Sequence, residues 1–344
     1  MKELQNVLYV LTQGAGLNLE HDTVRVAVEG ETRLRVPLLR LSGIVVFGQV
    51  NITPFLIQRC AEDGLNLVWL DRHGRFKARV QGQTRGNVLL RRAQHLALSA
   101  PERPAAIARQ CVAAKIQNSR QVLLRAAREA ASREDAEPLA SVAGLLARSL
   151  AELRELTDLD ALRGLEGEAA RGYFAVFSNM IRVERPAFAL AGRTRRPPRD
   201  RANSLLSFLY ALLRSECASA LEGVGLDPQV GFLHALRPGR PALALDLMEE
   251  LRPVVADRLA LSLINRRQLR PRHFAESPGG AFRLSDEGRR LVVTAYQERK
   301  EEEVAHRVLE EKVPLGLVPH VQARLLARHL RGELKEYPPF LYRG

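Results

Sequence analysis

The apolar residues of this chain recur at two different spacings, and the change falls near residue 80. Over residues 6–80 they alternate or run in short blocks bounded by turns: VLYVLT, then TVRVAVEG with Val24, Val26 and Val28, then TRLRVPL with Leu34, Val36 and Leu38, then GIVVFG. A period of two puts alternate side chains on one face of a pleated strand, and short β-branched blocks suit strands buried on both faces. The stretch NLVWLDRHGRFKARV adds two strands around a turn at Arg72, His73 and Gly74. One helix, Pro54–Asp63, interrupts the series, with Thr53 expected as its cap and Pro54 suited to its first position.

Beyond residue 86 the chain turns to Ala, Leu and Arg at helical spacing, broken by Pro101, Pro104, the polar stretch SREDAEP and later proline clusters. The expected fold is α+β. A small N-terminal β-rich domain covers residues 1–80, residues 81–87 form a linker, and a larger, mainly α-helical domain covers 88–344. The segment KEYPPFLYRG is expected to be a tail, and no fixed-period repeat of the solenoid kind is present.

The net charge of +13 points to an anionic partner, nucleic acid first, because neutralising phosphates releases condensed counterions. All but six of the 52 Lys and Arg residues are arginine, which a GC-rich genome would also produce. Where the arginines sit therefore matters more than their number. No run of eighteen uncharged apolar residues occurs and no signal peptide is recognisable, so a cytoplasmic protein without a membrane partner is expected. Cys60, Cys111 and Cys217 are odd in number and far apart, and are expected to be reduced, buried and structural.

Three segments place ionisable residues among apolar or small ones: LRGLEGEAAR with Glu166, GFLHALRPG with His234, and LALDLMEELRP with Asp246, Glu249 and Glu250. On a helix Asp246 shares a face with Glu249 and with Glu250, whereas Glu249 and Glu250 diverge by about 100°. Two carboxylates held close repel unless a cation separates them, and oxygen ligands with one imidazole suit Mg²⁺ or Mn²⁺ better than a structural zinc. Pro253 follows closely and cannot donate to the carbonyl of Glu249, which predicts a kink or a free carbonyl beside the site. Spacing alone does not bring the three segments together in space.

A β domain followed by a helical domain carrying G-x-E-G, then G-F-x-H, then L-D-L-M-E-E resembles the universal CRISPR adaptation integrase, over nearly the whole chain. The stretches NVLYVLTQGAGLNLE, GRFKARVQGQTRGNVLLRRAQH and FLHALRPGRPALALDLMEELRPVVADRLALSLINRRQL are similar to the variant of type I-C systems. The resemblance implies a metal-dependent DNA endonuclease and integrase. A fragment 3′-hydroxyl would attack a repeat phosphodiester, at a metal held by Glu166, His234 and a third acid, with Asp246 beside it. Many family members have aspartate where this chain has Glu249. Glu249 is the preferred third ligand here and Glu250 the alternative.

The same resemblance implies a homodimer formed through the β domain, consistent with apolar strand edges over residues 6–41. It also implies the small second adaptation protein as partner, a nuclease that trims fragments, and double-stranded and branched DNA as substrate. Residues 182–201, RVERPAFALAGRTRRPPRDR, set seven arginines against Glu184 and Asp200 and form the strongest DNA-contact candidate, Arg193, Arg195 and Arg196 above all. Arg237, Arg240, Arg252 and Arg258 flank the acidic motif and would hold a target strand. Two alternatives stay open: a metal-dependent nuclease of branched or single-stranded DNA that never joins, and a non-catalytic basic scaffold.

Overall fold

The computed structural model describes residues 5–83, 87–100, 102–194 and 197–342. The chain divides into two compact units, Met1–Gly86 with Asp286–Gln297, and Asn87–Ser285 with Glu298–Gly344. The sequence reading drew 88–344 as one continuous stretch, but residues 286–297 belong with the first unit, where the Gln297 side chain donates to the Val7 carbonyl at 2.6 Å. Among the described residues, no helix is long and apolar enough to cross a membrane.

The first unit carries eight strands: β1 (Asn6–Val10), β2 (Gly16–Glu20), β3 (Thr23–Val28), β4 (Glu31–Pro37), β5 (Leu41–Phe47), β6 (Asn51–Ile52), β7 (Asn66–Leu70) and β8 (Phe76–Val80). They form two four-stranded sheets, ordered β1-β5-β7-β8 and β4-β3-β2-β6. Strands β1, β5 and β7 run parallel, so α1 (Pro54–Asp63) serves as the crossover that a parallel pair requires. Val24, Val26 and Leu17 from one sheet, Ile44, Val46 and Leu67 from the other, and Leu56 and Cys60 from α1 share one core. The turn between β7 and β8 is held by Asp71, whose side chain accepts from the backbone N–H groups of His73 and Arg75, while Gly74 takes φ +80°. β2, too polar in GLNLE to stand out by alternation, is absent from the sequence reading. Thr53 precedes α1 as expected, but its hydroxyl makes no capping hydrogen bond; Pro54 supplies the helical φ instead.

The second unit consists of α2 (Val88–Ala97), α3 (Glu102–Arg128), α4 (Arg133–Glu152), α5 (Leu159–Ala175), α6 (Arg185–Phe188), α7 (Arg201–Val224), α8 (Ala242–Leu251), α9 (Arg258–Asn265), the end of α10 (Asp286–Glu301) and α11 (Val318–Leu330). Two hairpins join them: β9 (Phe274–Glu276) with β10 (Phe282–Leu284), and β11 (Glu303–His306) with β12 (Glu311–Pro314). α3 is the spine, packing against α4, α5 and α8. Cys111 on α3 and Cys217 on α7 are free and buried, as is Cys60.

α8 does not continue directly into α9. A π-helical turn, Arg252–Asp257, lies between them and begins around Pro253, whose missing N–H removes one ladder bond. The irregularity anticipated at Pro253 is thus a widened turn.

The segment expected as a tail is part of the interior. Tyr337 and Phe340 are buried, the Tyr337 hydroxyl donates to Glu250 at 2.5 Å, and the Phe340 N–H donates to the other Glu250 oxygen at 2.7 Å. Asn118 on α3 donates to the Phe340 carbonyl and accepts from the Tyr342 N–H. KEYPPFLYRG is polar and proline-rich by composition, and only its buried partners make it a core strap.

Candidate functional site

Three elements of the second unit carry the candidate residues toward one place. α5 presents Glu166; its start is set by Asp158, whose side chain accepts from the Ala161 N–H at 2.8 Å. The loop of residues 225–241 presents His234. α8 presents Glu249, and the Pro228 carbonyl accepts from the N–H groups of Leu243 and Ala244, substituting for a side-chain cap. The elements are tied together directly. Gln94 on α2 holds the loop through the Asp227 and Val230 carbonyls, and the Arg163 side chain on α5 donates to the Leu233 carbonyl at 2.7 Å.

Asp246 organises the loop. One of its oxygens accepts from the N–H groups of Phe232 (2.6 Å) and Leu233 (3.0 Å), the other from the His234 N–H (3.0 Å), and the His234 Nδ1 lies 2.7 Å from that second oxygen. A carboxylate only accepts, so Nδ1 carries the proton and Nε2 presents a lone pair. That lone pair faces Glu249, 3.7 Å away. A carboxylate that orients and enriches an imidazole from behind is the usual support of a metal-binding histidine. Gly231 makes the wrap possible: a Cβ there would lie 2.6 Å from the Ala242 backbone and 2.8 Å from an Asp246 oxygen.

Glu249 is buried, yet two cations pair with it, Arg252 at 3.0 Å and Lys115 at 2.7 Å, and the His234 Nε2 lies 3.7 Å away. Burial by itself would push its carboxyl pKa up; the charges of Arg252 and Lys115 outweigh that and hold it below the ordinary carboxylate range. Lys115, on α3, also contacts Glu166, so one ammonium bridges the two acids. Among the described residues no three His, Cys, Asp or Glu side chains stand ready-spaced around a metal position. The space between Glu166 and Glu249 holds the Lys115 ammonium, a stand-in for positive charge. The donor set fits a hard divalent cation: two carboxylates and a correctly oriented imidazole, with Glu249 kept ionised.

Glu250 points the other way. It accepts from Tyr337, Phe340 and Gln322, and burial pushes its carboxyl up to about 7 against those hydrogen bonds. Its partners thus set it apart from Glu166 and His234, whereas Glu249 faces them.

The arginines named from sequence fall into distinct settings. Arg237 is exposed on a turn closed by the Arg240 N–H and the Arg237 carbonyl, directly after the exposed Leu236, and Arg240 is half-buried beside it. Arg258 stacks on the Tyr342 ring, 4.8 Å from its centre. Arg252, expected at a DNA strand, is 7% exposed and paired with Glu249. Arg193 donates to Asn203 and Ser207 and covers one side of the Tyr210 ring, which Arg252 also approaches. Arg195 and Arg196 lie outside the described residues.

Sequence reasoning missed Lys115. A signal existed: it is one of six lysines in an arginine-rich chain, and it interrupts the apolar helical run CVAAKI.

The α+β fold matches that of a Cas1 protein from Thermotoga maritima at a TM-score of 0.80, with 26% identity over 96% of this chain and 97% of that one. The sequence model described as "CRISPR associated protein Cas1" matches residues 8–298, and the chain belongs to the Cas1 family. It is 57% identical, over the full length of both, to the CRISPR-associated endonuclease Cas1 1 of Moorella thermoacetica. It is also 37% identical to a CRISPR-associated exonuclease Cas4/endonuclease Cas1 fusion of Geobacter sulfurreducens, over 97% of this chain and 59% of that one.

Proposed function

We propose that this protein is a metal-dependent DNA integrase of CRISPR adaptation, joining short fragments into the repeat array. The observation that carries the reading is that one ammonium, Lys115, bridges Glu166 and Glu249 while the His234 Nε2 lies 3.7 Å from Glu249, in a chain of the Cas1 family. Glu166, His234 and Glu249 would hold Mg²⁺ or Mn²⁺, which when bound supplies Lewis acidity at the scissile phosphate. Asp246 keeps the His234 imidazole in the tautomer with Nε2 free, so the same atom can ligate or relay a proton. The reaction is an exchange of esters. A fragment 3′-hydroxyl forms a new P–O bond, the repeat 3′-oxygen leaves, and the proton lost by the first is regained by the second. No bond is lost on balance, so no nucleotide is consumed.

Arg237, exposed, and Arg240, half-buried, follow His234 in the same loop and could grip a phosphate backbone, and Arg258 lies on the far side of the π-helical turn. Replacing Arg237 and Arg240 together by alanine is expected to weaken binding to branched DNA about equally across sequences. The slope of log affinity against log salt should flatten by about 2. An unchanged slope would remove both from the interface.

A homodimer through the strand-rich unit accords with exposed apolar residues there, Leu34 (45%) on edge strand β4 and Leu39 (85%) just after it. The small second adaptation protein would be the partner that spaces two attacks, and the fused relative supports a trimming nuclease as a further partner. The deciding experiment offers DNA with free 3′-hydroxyls and a repeat-containing plasmid, with Mn²⁺ and with or without the partner proteins. Joined products support the integrase; shortened products alone favour the endonuclease without joining, and neither favours a scaffold.

A further inference from the structure

Lys115 is the least expected member of the site. It comes from α3, which carries none of the other candidate residues, and its side chain is 11% exposed. Its ammonium contacts Glu166 on α5 and Glu249 on α8, two carboxylates that would repel each other without it. No metal ligand can be a cationic ammonium, and an ammonium left between the two acids would be repelled by a divalent ion taking their other lone pairs.

We propose that Lys115 is a built-in counter-ion that holds the position between Glu166 and Glu249 and is displaced when the divalent cation binds. This inference rests on Glu166 and Glu249 being metal ligands. The fold provides a retreat. A cavity of about 30 Å³ borders Lys115 and is lined by Ser119, Tyr173, Tyr210, Arg252 and Asp257. One water needs only ~10–15 Å³, so an ammonium head fits, and Asp257 gives it a carboxylate within the same cavity. The device has two effects. The acids stay at near-coordinating separation without metal, and metal affinity is lowered by the work of expelling an internal rival. The protein would then load only where divalent ion is plentiful or where DNA phosphates contribute ligands.

The test is Mn²⁺ binding, followed by the free-ion electron paramagnetic resonance signal, on full-length wild type, Lys115→Met and Glu166→Gln. Lys115→Met should bind Mn²⁺ at least tenfold more tightly than wild type, and Glu166→Gln more weakly. Equal or weaker binding by Lys115→Met, with Glu166→Gln still weakened, overturns the counter-ion while leaving the metal site intact. Wild type and Glu166→Gln binding alike overturns both. Should Lys115→Met fail to fold, a crystal structure of wild type with Mn²⁺ decides. The Lys115 Nζ should then be out of hydrogen-bonding reach of at least one of the two acids, and an ammonium still bridging both refutes displacement.

Discussion

If Glu166, His234 and Glu249 hold the metal as proposed, Glu249→Gln, Glu166→Ala and His234→Ala are each expected to lower strand joining by at least about a thousandfold while binding to branched DNA persists, because none removes an exposed arginine. Glu249→Gln is the sharpest of the three. It keeps the shape of a side chain packed between Arg252 and Lys115 and removes only its charge. Gel-based joining and electrophoretic mobility shift on the same preparations separate chemistry from binding. Joining at wild-type rate by any one of the variants, with Mn²⁺ present, would strike that residue from the metal set.

The neighbouring position should behave in the opposite way. Glu250→Ala leaves the Tyr337 hydroxyl, the Phe340 N–H and the Gln322 amide without their common acceptor in the interior. Stranded buried donors cost ~1–3 kcal/mol each, so a loss on the order of 3 kcal/mol is expected for the unit. At ~2–4 °C per kcal/mol for a body of this size, thermal unfolding should begin about 6–12 °C lower. Below that temperature joining should survive. If Glu250→Ala stays fully stable yet never joins, the roles of the two glutamates are exchanged.

Much of the fold was legible because period and turn chemistry are local. Val24 and Val26 announced their strand, Pro54 its helix, and Arg72, His73 and Gly74 their turn. β2 escaped because GLNLE carries only two apolar side chains, and its place is fixed by pairing with β3 and β6. The candidate site was legible as three motifs but not as an arrangement. Residue spacing placed Asp246 and Glu249 on one helix face; it could not say that Asp246 spends all its lone pairs on the His234 loop, since three of those four bonds go to backbone. Nor could it choose between Glu249 and Glu250, because the choice is made by Tyr337, Gln322 and Phe340, distant in sequence. Arg252 and Arg193 read as surface charge for a similar reason: a charge count is blind to a buried carboxylate or an aromatic face waiting for it.

The strap over Glu250 also sets an order of events during synthesis. The strap partners of that carboxylate, Tyr337 and Phe340, are made 87 and 90 residues after it. Until residues 337–340 have left the ribosome, Glu250 lacks two of its hydrogen-bond donors and burying it would cost more. A nascent chain therefore completes the surroundings of Glu250, and with them the packing of α8, only when its last residues are made.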